Sequence, residues 1–298
     1  MANLKEVRDR IVSVQNTQQI TKAMKMVSAA KLRRAQDAIT QMRPYANKLD
    51  SMLRNILSNL EGDAGTVFGQ ERVVERACIV VVTSNRGLCG AFNTNVIKAA
   101  LAAMNGKFAD VHARGNLTML FVGKKGNEYF KKRYADSVNI ISDYVNLFDD
   151  LSFENTKKVA TYLMDNFKNG RFDAVEVAYG EFRNAAIQDT IHVPFLPVPK
   201  VELEEGATNH RADYIFEPSK EGLLSHLVPS ILQTQFHKFN LDTQASEHGA
   251  RMTAMDSATE NANDLLRDLK ISYNKARQES ITNEILEIVG GAAALESS

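Results

Sequence analysis

From Ala250 to Val289 the chain contains neither glycine nor proline. Met252, Met255, Ala262, Leu266, Leu269, Tyr273 and Ala276 recur there mostly at steps of three and four. That spacing places them on one face of a long helix. Beyond Arg277 the stripe shifts and continues as Ile281, Ile285, Ile288, Ala292 and Leu295. A helix this long with one thin apolar stripe cannot bury itself against a small core. It requires a partner helix of similar length.

The opposite terminus supplies one. Residues 1–61 contain no glycine and a single proline, Pro44. Leu4, Val7, Ile11 and Val14 open a heptad seam. Leu32, Ala35, Ile39, Met42, Ala46, Leu49, Leu53, Ile56 and Leu60 resume it in register. Between the two halves Gln18, Thr21, Lys25 and Ser28 occupy the seam, while Ile20, Met24 and Val27 lie one position off. Two readings stand: a register slip within a coiled coil, or a section that touches something other than the partner arm. Pro44 is expected to kink or break the helix near Met42 and Arg43. The two arms are expected to pair antiparallel, with Leu4 to Val14 beside part of 266–295. Val7, Ile11, Val14, Met252, Met255, Leu266 and Leu269 are then the seam.

No acidic residue lies between Asp9 and Asp37, where Arg10, Lys22, Lys25, Lys31, Arg33 and Arg34 fall. A basic run suggests a solvated face or a nucleic-acid contact. However, no aromatic precedes Arg43 to stack on bases. The acidic C-terminal arm offers a simpler counterpart through Asp256, Glu260, Asp264 and Asp268. Formal net charge is zero, which favours neither polyanionic nor polycationic partners. The two cysteines, Cys78 and Cys89, suggest a reducing compartment. No apolar run reaches the ~18 residues that a membrane span needs. MANLKEVRDR reads as neither a secretion signal nor a transit peptide.

Between the arms the periodicity changes. Residues 62–76 read as a connector. The β-branched run Cys78–Ser84 predicts a buried parallel strand. Leu117–Val122, Val138–Ser142, Ala174–Tyr179 and Thr190–Leu196 predict four more. Helices are expected over Thr94–Met104, Glu128–Tyr134 and Ser152–Phe167, the last with Ser152 as N-cap. Alternating strands and helices indicate an α/β sheet, here a Rossmann-like domain over 77–200. Residues 201–219 then form a loop, and helix resumes over 220–298. Two glycine-rich turns, NRGLCG and GKKG, follow strands. Neither has the spacing of a phosphate-binding loop. The six histidines lack metal-ligand spacing, and no nucleophile elbow is present. The residues thus describe an α/β domain inserted between the arms of a long coiled coil, with no cofactor, metal or catalytic group of its own.

SVQNTQQITKAMKMVSAAKLRRAQ, RPYA at 43–46, SNRGLCGAFN, SEHGARMTAMDSATENA and YNKARQESITNEILEIVGGAAAL lie in order over nearly the whole chain. Together they resemble the gamma subunit of the rotary F-type ATP synthases. The resemblance implies a central shaft turning within a ring of alpha and beta subunits. The α/β domain would sit at its foot, against the epsilon subunit and the c-subunit ring. Nucleotide chemistry would belong to the beta subunits, and proton flow would drive the shaft. It implies that Met24 and Lys25 face an acidic lever of a beta subunit, and that Arg251, Arg277 and Gln278 touch the ring's loops. Ile288 and Val289, with the small residues 290–294, would form a tip in an apolar sleeve. It also implies a peripheral place on the cytoplasmic face of a bacterial inner membrane. The cysteine-bearing loop of the chloroplast members has no match here. Two rivals are a coiled-coil adaptor or nucleic-acid-binding protein using the basic arm, and a nucleotide-dependent enzyme built on the α/β domain.

Overall fold

The computed structural model describes residues 4–58, 67–185, 187–198 and 220–296. Two helices dominate: α1 (Leu4–Ser58) and α6 (Lys220–Glu296). Between them in sequence come β1 (Ala77–Val82), α2 (Phe92–Asn105), α3 (Ala109–Ala113), β2 (Leu117–Val122) and α4 (Lys124–Arg133). There follow β3 (Asn139–Ile141), α5 (Phe153–Lys168), β4 (Ala174–Phe182) and β5 (Gln188–Leu196). Two compact units emerge. One takes in Met1–Val27 and Met252–Ser298, the other Ser28–Arg251.

In the second unit the sheet order is β3-β2-β1-β4-β5. β1 pairs parallel with β2 and β4, β2 parallel with β3, and β5 antiparallel with β4. Alternation decides the layers. Cys78, Val80 and Val82 face α5 and the start of α6, packing with Val159, Leu163, Phe167, Leu232 and Phe236. Ala77, Ile79 and Val81 face the other way, onto Val96, Ala100, Met104 and Phe130. Both faces are covered, which is why the strand sequences read as unbroken apolar runs. Each fully buried aromatic or leucine there contributes about 1.5–3 kcal/mol of transfer free energy.

Pro44 lies inside α1, which continues through it, and Pro229 lies inside α6. A proline removes one intrahelical hydrogen bond and crowds the preceding turn. Here Ile39 and Leu49, buried on either side, hold the helix in place. α4 begins earlier than its apolar pattern suggests, because GKKG supplies its first turn. Gly123 has φ 89°, and a Cβ there would lie 1.9 Å from the Thr83 carbonyl oxygen. The Gly126 N–H donates to Thr83 Oγ1 at 2.9 Å. These glycines serve close packing of β1 against α4. Ser152 holds the N-cap position of α5 without a side-chain cap bond. Instead the Thr156 hydroxyl, within the helix, reaches the carbonyls of Ser152 and Phe153. The loop expected over 201–219 lies outside the described residues.

One buried charge interrupts β4. Glu176 is 2% exposed, bonded to Lys107 Nζ and 2.8 Å from His192 Nε2. Burial raises its pKa, but His192 and Lys107 beside it outweigh that and hold the carboxyl below its ordinary 4.5. A depressed folded pKa adds stability above the unfolded value and loses it as pH falls through the folded one. Glu176→Gln is therefore expected to cost about 1–3 kcal/mol at pH 7 and to flatten the fall in stability below pH 4.5. Urea midpoints of both chains between pH 3 and 7 check this. Parallel curves would show that Glu176 does not titrate with folding.

Candidate functional site

In the unit formed by the chain ends, three polar pairs set the register. Gln18 Nε2 donates to Asn263 Oδ1 at 2.5 Å. The Thr21 and Thr259 hydroxyls meet at 2.8 Å. Lys25 Nζ pairs with Asp256. Numbers rise along α1 as they fall along α6, so the helices are antiparallel. Continued at the same step, Val14, Ile11 and Val7 fall level with Leu266, Leu269 and Tyr273. Val7, Met255, Ala262 and Leu266 are buried, and Ile11, Val14, Met252 and Leu269 are half-buried.

The seam therefore runs straight on from Gln18 to Lys25. Gln18, Thr21 and Lys25 stay in it because Asn263, Thr259 and Asp256 answer them. With those polar partners in place, no apolar side chain is needed at the seam. Ile20 and Val27 are left 59% and 57% exposed, with Met24 half-buried between them in sequence. At helical spacing Ile20, Met24 and Val27 form one stripe beside the seam. Lys25, by contrast, is an intramolecular partner of Asp256.

Thr21→Cys with Thr259→Cys should therefore close a disulfide within one chain, since the two side chains already touch. Non-reducing electrophoresis with unchanged far-ultraviolet circular dichroism checks this. Only dimeric cross-links would refute the intramolecular pair.

The pairing register brings Leu4 level with Ala276 or Arg277. Past that level α6 has no opposing turn of α1 among the described residues. Arg277 and Gln278 are exposed, as is every residue from Ile281 to Ala292. Ile288 and Val289 are 71% and 59% exposed. Ile281, Ile285, Ile288 and Ala292 of the shifted stripe thus cover nothing among the described residues.

In the sheet unit, the strand order reverses between β1 and β4, which run parallel. In open α/β sheets ligands bind outside the carboxyl ends of the strands at such a switch point. Here α6 fills it. Ser246 Oγ donates to the Gly180 carbonyl of β4 at 3.1 Å. A Cβ on Gly180 would come within 2.6 Å of the Phe92 ring. The turn after β1 is tied internally: Ser84 N–H donates to Asn93 Oδ1 at 2.9 Å and Ser84 Oγ to the Arg86 carbonyl at 2.6 Å. Arg251 Nη2 then donates to the carbonyls of Arg86 and Gly87 at 3.0 and 3.2 Å. Its Nη1 donates to Glu247 Oε1 at 2.5 Å.

Arg251 is thus 8% exposed and bonded within the chain. Burial, reinforced by Arg251 and Lys31, pushes the His248 pKa down to about 4, so its ring is neutral at pH 7. Burial raises the Glu247 pKa, opposed by Arg251. Periodicity gives no sign of this cluster, because polar residues inside a helix carry no periodic apolar signal; only the family resemblance singles out Arg251.

A crevice closed by the chain's own helix, and two chain ends joined in an antiparallel pair, define a mechanical or scaffolding protein. The ATP synthase family model matches residues 3–295. The ATP synthase gamma chain of Cytophaga hutchinsonii is 51% identical over 300 residues, covering 100% of both chains. That of Flavobacterium psychrophilum is 51% identical, covering 99% of this chain and 100% of its own. A chain of the Euglena gracilis mitochondrial ATP synthase, solved with its c-ring in rotational state 3, superposes with a TM-score of 0.65. It is 23% identical, over 99% of this chain and 95% of that one. The chain belongs to the ATP synthase gamma-chain family, and is a non-catalytic subunit.

Proposed function

We propose that this chain is the central rotor shaft of an F-type ATP synthase, coupling transmembrane proton flow to ATP synthesis or hydrolysis. The catalytic sites it serves are on beta subunits, in a ring with alpha subunits. The observation that carries the reading is the apolar surface left open on the two long helices: Ile20 and Val27 beside the seam, and Ile281, Ile285, Ile288 and Val289 at the end of α6. Exposed apolar surface of this extent marks an interaction site. Met24, Arg277 and Gln278 would meet the ring's loops, Ile288 and Val289 its sleeve. Lys25 would have to share its ammonium with Asp256, and Arg251 would act from inside the chain. The epsilon subunit and the c-subunit ring are the partners for the α/β domain. No described helix is long and apolar enough to cross a membrane. We place the chain peripherally, on the cytoplasmic face of a bacterial inner membrane.

Asymmetry makes such a shaft a ligand with a rotating preference. It shifts each beta site only by as much as its affinity differs between that site's conformations. A bead attached through Lys132→Cys, on exposed α4, in the reconstituted complex should turn in one direction on ATP addition. A complex that hydrolyses ATP at the parental rate under a static bead would refute the rotor. The nucleic-acid adaptor and the nucleotide-dependent enzyme give way to family membership and to the filled crevice.

A further inference from the structure

Between Phe239 and Arg251, every residue of α6 is buried except Gln244 and Ala250, which are half-buried. Phe239, Leu241 and Ala245 are buried, as are Asn240, Asp242, Thr243, Ser246, Glu247, His248 and Arg251. A helix enclosed all round is ordinarily apolar all round. This one is mostly polar, although burying polar groups is costly unless they are bonded.

The bonds leave the helix on different bearings. Ser246 reaches the Gly180 carbonyl on β4, and Arg251 reaches two carbonyls of the turn after β1. Five residues apart, they point about 140° apart around the axis. At Gly249 an added Cβ would lie 3.2 Å from Gln188 Nε2 and 3.3 Å from the Ala185 carbonyl oxygen, so a third strand connection comes close there.

We propose that residues 239–251 form a keyed socket that fixes the rotational setting of α6 about its own axis, and that torque between α6 and the sheet passes through it. This rests on the rotor reading. Apolar contact is non-directional and resists turning only through the interlocking of side chains. Hydrogen bonds demand distance and angle together. Turning α6 by about 20° would carry side-chain ends by about 2 Å, enough to break every bond named above. Ser246 and Arg251 are the positioning residues, and Glu247 sets the Arg251 fork.

The test replaces the pair with apolar groups of similar length, Arg251→Met with Glu247→Leu. Exchanging a whole buried ion pair in this way often leaves stability nearly unchanged. The full chain should therefore melt within a few degrees of the parent. Cys89, buried in the turn that Arg251 holds, should react with a thiol reagent about tenfold faster, while Cys78 stays protected. In the assembled complex, stalled with nucleotide, the angular variance of a bead on Lys132→Cys should at least double. Proton uptake per ATP should fall severalfold.

Ser246→Ala, which deletes one bond and little volume, should shift bead variance the same way by less. Unchanged variance beside faster Cys89 labelling would overturn the socket's mechanical role. Unchanged Cys89 labelling would overturn the hold on the turn. Looseness that appears only with a large drop in melting temperature would reduce the cluster to ordinary packing. A parental bead that never turns would instead sink the rotor reading and leave the Cys89 result standing.

Discussion

Leu266→Asp is expected to separate the paired chain ends and to deplete the chain from the assembled complex. Leu266 is 8% exposed in the seam, and the register sets it opposite Val14. Truncating a buried leucine alone costs about 2–5 kcal/mol. A carboxylate in its place adds the cost of a buried, unpaired charge. Among the described residues the paired unit has few buried side chains with which to absorb that: Val7, Met255 and Ala262 are the other apolar ones. Its remaining pairs are polar and partly exposed. Leu265, one residue away and 40% exposed, supplies the control. Leu265→Asp should stay within about 0.5 kcal/mol of the parent. Helicity on heating, and the yield of complex from membranes, measure the difference. A parental yield of complex from Leu266→Asp would mean that this face is not a seam in the assembly.

The seam and the sheet were both legible because each rests on a period. Val7, Ile11 and Val14 step by four and three, and ACIVVV and LTMLFV are continuous because both faces of the sheet are covered. Edges were less legible. β3 is three residues long, and its length depends on how far β2 offers it a partner. Pro44 misled because its local penalty is fixed, whereas the packing that overrides it comes from distant residues. The stretch from Gln18 to Ser28 misled for a different reason. Its polar seam residues pair across about 240 positions with Asn263, Thr259 and Asp256, and only the register shows which residue answers which. The contacts around Arg251 were hidden from periodicity, since SEHGAR has no apolar pattern and is enclosed by β4 and the turn after β1; the family resemblance marked Arg251 but not what it holds.

Met24→Lys is expected to leave assembly intact and to slow rotation-linked turnover. Met24 is half-buried, in a stripe whose neighbours Ile20 and Val27 are open to solvent. A lysine there can extend into water, so the chain itself should fold as before. Lys25, next in sequence, already holds Asp256. A new ion pair with the ring would form only at those rotary positions that present an acidic lever. Exposed pairs contribute only about 0–1 kcal/mol, and partial desolvation at an interface increases that. If one dwell gains about 1.4 kcal/mol and the barrier out of it gains nothing, exit slows about tenfold. Proton pumping per ATP should fall with it, since a shaft held at one position no longer tracks the beta sites evenly. Added salt should relieve the effect in part, because it screens a half-exposed pair. Met24→Leu keeps the apolar stripe and should behave as the parent. The measurements are ATP hydrolysis and ATP-driven proton uptake in membranes carrying each variant, at low and high salt. Parental rates and pumping from Met24→Lys at low salt would remove this stripe from the coupling surface and leave it a solvated helix face.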